Sequence, residues 1–342
     1  MNPAIETLRL LGALMVLTHH YSYQLSYGAS SELLGLHYFH NGVDLFFVIT
    51  GYLFAPILLG EKRVNAPTFL KRRFFRLYPL YLISLITFTL TATDRLPSLA
   101  LWIEHAILLQ TLPYHTLEQT SAISLVYWTL ATELQFYLFV LAMAVIYRFV
   151  QINYKLPLLF TVSVLGFIGS VYWNYNPMSE IWVLWQAQLP ALLLEFCLGV
   201  LVYRYLQLAN TRKYQLLLLT IGLSLLFALY LIYPSYAAKS LSARPFAWFN
   251  LASALGYALV MAALLQRSRT SQPKQNTTTA YLIYAGGLSY SIYLFHEITI
   301  RWAQKITPDP VWRVVIGILI VCTLAWALNR WIENPLREYG RR

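Results

Sequence analysis

Charge is what this chain has least of. Asp, Glu, Lys and Arg make up 11% of its 342 residues, against about 25% in a soluble domain, and no stretch is both polar enough and long enough to build one. Cysteine is scarce too: Cys197 and Cys322 both sit inside apolar runs, which argues against a disulfide scaffold and against a cysteine metal site. There is no repeat period, and the only low-complexity tract is the short polar linker SRTSQPKQNTTT at 268–279. The first residues lack a basic region and a small-residue cleavage site and carry Arg9, His19 and His20, so they read as a first helix and not as a cleavable signal. These absences exclude a disordered chain, a fibrous repeat and an ordinary cytosolic enzyme. What is there is apolar: 58% of residues are hydrophobic and 16% aromatic. The fold class that follows is all-α, a polytopic membrane bundle forming one transmembrane domain over 1–342.

A helix needs roughly 20 residues to cross the hydrocarbon core. Candidate spans lie near 5–23, 42–60, 74–92, 122–147, 156–173, 181–203, 214–233, 246–266, 279–300 and 312–333. The segment 97–112 is short, carries Glu104 and His105 and ends at Pro113, which predicts an interfacial or re-entrant helix. With ten spans and an inside N-terminus, the 25 basic residues divide 19 inside to 6 outside; an eleventh span at 97–112 would erase most of that bias. Both termini are therefore expected on the cytoplasmic side. The net charge of +11 suits membrane lipids or an anionic substrate in such a chain better than it suits nucleic acid.

Ionisable groups inside spans cost a few kcal/mol on insertion scales and mark functional positions by default. Arg9 and His20 are 11 residues apart, a spacing that returns to within about 20° of one helix face, with about 16 Å of rise between them. His19 points some 80° away. The alternative is that Arg9 snorkels to the headgroups and His20 caps the outer interface. Asp44 shares a level with His20 and is a candidate to orient its imidazole; as an N-cap beside Asn41 it would have no such role. Arg72, Arg73 and Arg76 form an inner cluster suited to phosphate oxygens, or simply a topology signal. Glu133 lies halfway along the fourth span and calls for partners on another helix. His296 and Glu297 fall near the outer end of the ninth span, and Glu333 and Arg337 could form a local ion pair at the inner end of the tenth. The pattern is layered, with acid–base groups in the middle and outer half and arginines in the inner half. A site that takes a phosphorylated donor from the cytoplasm and moves protons near the far side has this form.

The set Arg9-x10-His20, GVDLFFVITGYL (42–53), KRRFFRLYPLY (71–81), WTLATELQFYL (128–138), SYSIYLFH (289–296) and ENPLRE (333–338) resembles the acyltransferase 3 family of integral-membrane acyltransferases over nearly the whole chain. Thr50 and Thr129 stand where that family often has serine, and both keep a hydroxyl. The other membrane O-acyltransferase superfamily, with a different helix count, fits worse. Some members carry an extra hydrolase-like domain on the far side of the membrane, and this chain is expected to be the kind without it. The resemblance implies O-acyl transfer, most often acetyl, from acyl-coenzyme A as co-substrate to a hydroxyl of a surface glycan or lipid-linked sugar, in a bacterial cytoplasmic membrane. It implies that His20 matches the catalytic histidine, Arg9 its partner arginine, and Arg72, Arg73 and Arg76 the arginine motif that would hold the donor. Asp44 and Glu133 join His20 as catalytic candidates, with His296, Trp128, Tyr137 and Thr50 as further site candidates. No permanently bound cofactor and no metal are expected, since neither HExxH nor a cysteine cluster is present. The competing class is a proton-coupled transporter or flippase of a glycan or anionic substrate, in which intramembrane carboxylates and histidines also occur. The hydropathy shows neither an inverted repeat nor paired broken helices in its favour.

Overall fold

The computed structural model describes residues 2–25, 31–92, 96–112, 115–172, 185–208, 211–240, 246–270 and 277–342. Among them the chain is helical throughout: α1 (Pro3–Leu25), α2 (Gly42–Leu58), α3 (Ala66–Thr91), α4 (Leu99–Ala106), α5 (Leu117–Thr120), α6 (Trp128–Ile146), α7 (Ile152–Tyr172), α8 (Leu189–Gln207), α9 (Gln215–Ser240), α10 (Phe246–Thr270), α11 (Thr277–Gly287), α12 (Ser289–Ile306), α13 (Pro310–Leu328) and α14 (Asn334–Tyr339). Eight helical stretches are long and apolar enough to cross a membrane. The protein is a polytopic helical membrane bundle. The two remaining expected spans depart from that standard for readable reasons. α1 is 23 residues long but carries Glu6, Arg9, His19 and His20. The ninth expected span is broken at Leu288, directly after the pair Gly286–Gly287, into α11 and α12. The freed Gly287 carbonyl accepts a hydrogen bond from Asn329 Nδ2 (2.9 Å), so the break is satisfied from the neighbouring helix. Of the sixth expected span, 181–203, the first residues lie outside the described ones.

Helix starts follow local sequence. Asn65, Ser98 and Asp309 accept from the backbone N–H of Thr68, Leu101 and Trp312, and Pro310 begins α13 where no N–H is needed. α4 has only eight residues, about 12 Å of rise, so 97–112 does not span. His105 in α4 is buried, and its backbone carbonyl accepts from Tyr81 of α3 (2.5 Å). α2 and α8 meet backbone to backbone: a side chain at Gly51 would collide with the Phe196 carbonyl, and one at Gly199 with the Val48 carbonyl. Around this seam Phe47, Phe136 and Phe196 stack in the core. The close approach fixes which face of α2 is turned to α8, and that decides where Asp44 goes.

Candidate active site

Five helices enclose a cavity of about 670 Å³. α1 contributes Arg9, α2 Thr50 and Phe46, α3 Arg76, α6 Thr129 and Glu133, and α12 Ser289 and Tyr293. A second cavity, of about 1090 Å³, adjoins it and shares Arg9, Leu53 and Arg76. Its walls carry Arg72, Arg73, Arg337 and Arg341 as well, with Glu6 the one acidic residue among them. Glu6 lies 3.6 Å from the Arg9 guanidinium. Five of the arginines singled out from sequence, Arg9, Arg72, Arg73, Arg76 and Arg337, thus line one basic cavity, and Arg9 and Arg76 also line the inner one with Glu133. Arg73 is held flat among aromatic rings, its guanidinium carbon 5.1 Å from the Phe54 ring centroid and 5.8 Å from those of Phe69 and Tyr137.

Glu133 finds its hydrogen-bond donor on its own helix. The Tyr137 hydroxyl, one turn further on, donates to Glu133 Oε1, while Arg9 and Arg76 from α1 and α3 face Glu133 across the cavity. The expectation of partners on other helices is corrected to this mixed arrangement. Trp128 opens α6 and packs edge-on against Phe47 at 6.2 Å; it is not in the cavity wall.

Two residues in the wall of the inner cavity form an aromatic pair. The Phe46 and Tyr293 rings meet edge-on at 5.9 Å. The Tyr293 hydroxyl donates to the Val126 carbonyl (3.0 Å) and lies 2.7 Å from Thr129 Oγ1. One turn along α12, the His296 ring centroid is 6.0 Å from that of Tyr293 and 4.9 Å from that of His20. Both ends of the Arg9–His20 stripe therefore face α12. His19 turns to another set of neighbours: its Nδ1 is 2.8 Å from the His37 carbonyl, and its ring packs against His37, His40 and Tyr23. The ring of His19 still touches that of His20 edge-on at 4.9 Å, so the two are less separate than the helical angle alone implies.

His296 is fully buried. Its Nδ1 lies 2.8 Å from the Tyr293 carbonyl. A carbonyl can only accept, so Nδ1 carries the proton and Nε2 keeps a lone pair. That Nε2 has no hydrogen-bond partner. It is a buried acceptor beside the ring of His20.

Asp44 is placed away from the stripe. The face of α2 that bears Asp44, Val48 and Gly51 is turned to α8, and Asp44 shares a side-chain hydrogen bond with Glu195 of that helix. Both are buried. The neighbour of His20 on the deep side is a histidine where a carboxylate was expected. Glu195 was missed in the sequence, although an acid inside the apolar run LLLEFCLGV (192–200) is flagged by the same rule that marked Glu133. The expected Glu333–Arg337 ion pair is also corrected. Glu333 accepts from Ser291 Oγ (3.0 Å) and Asn329 Nδ2 (3.2 Å), while Arg337 donates to Asn334 Oδ1 (3.0 Å) and turns into the basic cavity. A π-turn, Asn329–Glu333, leads into the pair and brings Asn329 to the Glu333 carboxylate. Glu297 pairs with Arg301 at 3.1 Å and accepts from Ser124.

The fold thus gathers half-buried and exposed arginines at one end, a histidine pair at the other and a mainly apolar cavity between them. A family model described as an acyltransferase domain, that of the acyltransferase 3 family, matches residues 2–330, and the chain belongs to this family. It is similar to the peptidoglycan O-acetyltransferase OatA of Listeria monocytogenes, at 24% identity over 99% of this chain and 56% of that protein. It is likewise similar to the O-acetyltransferase OatA of Staphylococcus aureus, at 25% identity over 99% of this chain and 57% of that one. The chain thus spans a little over half the length of these relatives. No solved structure matches it. The chain is thus a membrane-spanning member of the acyltransferase 3 family.

Proposed function

We propose that this protein transfers an acyl group, most readily acetyl, from acyl-coenzyme A to a hydroxyl of a surface glycan or lipid-linked sugar. The observation that carries the reading is the run of two adjoining cavities from the arginine-lined mouth, past Arg9, Arg76 and Glu133, to within one aromatic ring of the His20–His296 pair. Phosphates of the donor rest on Arg72, Arg73 and Arg76, whose forks suit phosphate oxygens. The pantetheine arm lies along the inner cavity, since the rise from Arg9 to His20 is about 16 Å. Its thioester then reaches His20 once the Phe46–Tyr293 pair parts.

The chemistry is a single acyl exchange. His20 takes the proton of the acceptor hydroxyl as its oxygen attacks the thioester carbon. The C–S bond breaks, the ester C–O bond forms, and the proton passes from His20 to the departing thiolate. In this scheme His296 Nε2, unpartnered in the structure and beside the His20 ring, takes the N–H of His20 during transfer and so keeps the other nitrogen of His20 free as the base. His296 is a positioning residue in this scheme. The 19-to-6 split of basic residues supports an arginine mouth and both termini on the cytoplasmic side, where the donor is made, and a bacterial cytoplasmic membrane is part of this reading. The acceptor then approaches from the opposite side. Peptidoglycan is the glycan named for one relative and is the first acceptor to try.

The test is transfer by purified protein in proteoliposomes, with isotope-labelled acetyl-coenzyme A outside and glycan fragments within. Mass spectrometry is expected to find an acetyl increment on the glycan and free coenzyme A in equal amount. Glycan movement across the vesicle wall without any acyl increment would replace this reading with the transporter one.

A further inference from the structure

A third cavity, sharing no residue with the two above, lies where α2, α6 and α7 end or begin. Its volume is about 1260 Å³, and four cations line it: Lys62 and Arg63 from the segment after α2, Arg148 after α6, and Lys155 in α7. No aspartate or glutamate is among its lining residues. The nearest acid in sequence, Glu61, is drawn off to α8, where the Tyr203 hydroxyl (2.9 Å) and Gln207 Nε2 (3.2 Å) donate to it. The turn that brings the cations together is specific. Gly60 has φ 70°, and a side chain there would strike the Lys155 amine. That amine sits 5.4 Å from the Tyr147 ring centroid, and the Tyr147 hydroxyl donates to the Lys155 carbonyl (3.1 Å). The remaining wall is aliphatic, with Ile57, Leu141 and Val145, and Val145 is 52% exposed.

We propose that this cavity binds the headgroup of an acidic phospholipid, its phosphodiester among the four cations and an acyl chain along the Ile57–Leu141–Val145 wall. Four uncompensated cations in one concavity attract an anion, and helix ends in a membrane bundle lie at headgroup level. The aliphatic side distinguishes the lipid from a free phosphate, which would leave that wall bare. The site is independent of the acyl-transfer reading. None of its residues touches the donor cavities.

Native mass spectrometry of the purified chain tests it, after titration with phosphatidylglycerol or with phosphatidylcholine. Phosphatidylglycerol is expected to stay bound through detergent removal and phosphatidylcholine to be lost. Arg63→Gln with Arg148→Gln should weaken the retained lipid by about five-fold per removed charge. Arg148→Lys, which keeps the charge, should retain it. Unfolding temperature in the same detergent identifies any variant that fails to fold, and Lys62→Gln with Lys155→Gln then takes its place with the same expected loss. Equal retention of the two lipids, or unchanged retention in a folded double variant, would overturn the proposal. Displacement of phosphatidylglycerol by acyl-coenzyme A would assign the cavity to the donor and overturn it equally.

Discussion

Replacing His296 separates the two schemes for activating His20. If Nε2 of His296 holds the N–H of His20, a residue with the ring's shape and no acceptor should lower kcat and leave the donor KM alone. The proposed hydrogen bond to the His20 N–H, made during transfer, would be worth on the order of 1–3 kcal/mol, so His296→Phe should lower kcat about five- to 150-fold. His296→Gln places an amide oxygen near the Nε2 position and should recover part of that. His20→Ala removes the base itself, with an expected loss of about 10²–10⁴-fold, and His20→Ala with His296→Phe should be no worse than His20→Ala alone, because residues acting as a unit are not additive. Asp44→Asn keeps a hydrogen-bonding partner for Glu195 and should leave kcat near wild type. The assay is steady-state acetyl transfer by reconstituted protein, with both kcat and KM read for each variant. If Asp44→Asn falls to the level of His20→Ala while His296→Phe is harmless, the carboxylate is the orienting group and the histidine pair is only packing.

Other expectations follow from the same geometry. Arg73→Ala should raise the KM for acyl-coenzyme A well above any change in kcat, and Arg73→Lys should recover only part, since an ammonium cannot lie flat among three rings and also fork to a phosphate; an unchanged KM in both would leave the arginine cluster a topology signal. Gly199→Val puts a branched side chain against the Val48 carbonyl, and overpacking of this kind costs about 1–3 kcal/mol, so the unfolding temperature in detergent should drop; a variant as stable as wild type would mean that α2 and α8 are not in backbone contact. Tyr293→Phe removes the hydroxyl tied to Val126 and Thr129 and should raise acceptor-independent hydrolysis of acyl-coenzyme A relative to transfer; an unaltered ratio argues that this ring does not hold the passage closed. With Cys197 and Cys322 replaced, Ala66→Cys should label with an impermeant thiol reagent from the cytoplasmic face and Leu96→Cys from the other, and labelling of both from one face would sink the topology.

The helices were legible because their cause is local. Hydropathy over some 20 residues marks a span, and the eight-residue α4 follows from a segment too short and too polar to cross. The break at Leu288 has a local cause as well, the Gly286–Gly287 pair, but a hydropathy window averages over it. The site was legible by half. Helical spacing was enough to put Arg9 and His20 on one stripe, and adjacency was enough to group Arg72, Arg73 and Arg76. What faces that stripe depends on packing between segments far apart in sequence: His20 and His296 are 276 positions apart, and no spacing rule joins them. The same holds for Asp44. Its depth was readable, its direction was not, because the face of α2 it occupies is claimed by the close contact of Gly51 and Gly199 with the opposite backbones. Two glycines thus decide a chemical question. They draw α8 in, α8 brings Glu195 to Asp44, and the space beside His20 is left to α12. The sequence rule that a carboxylate can steady an imidazole looked only at depth, whereas the placement of Asp44 is steric. Under the proposed mechanism a neutral acceptor, His296 Nε2, would replace an anionic one, and the imidazolium formed during transfer would be less stabilised and give its proton to the leaving thiolate more readily.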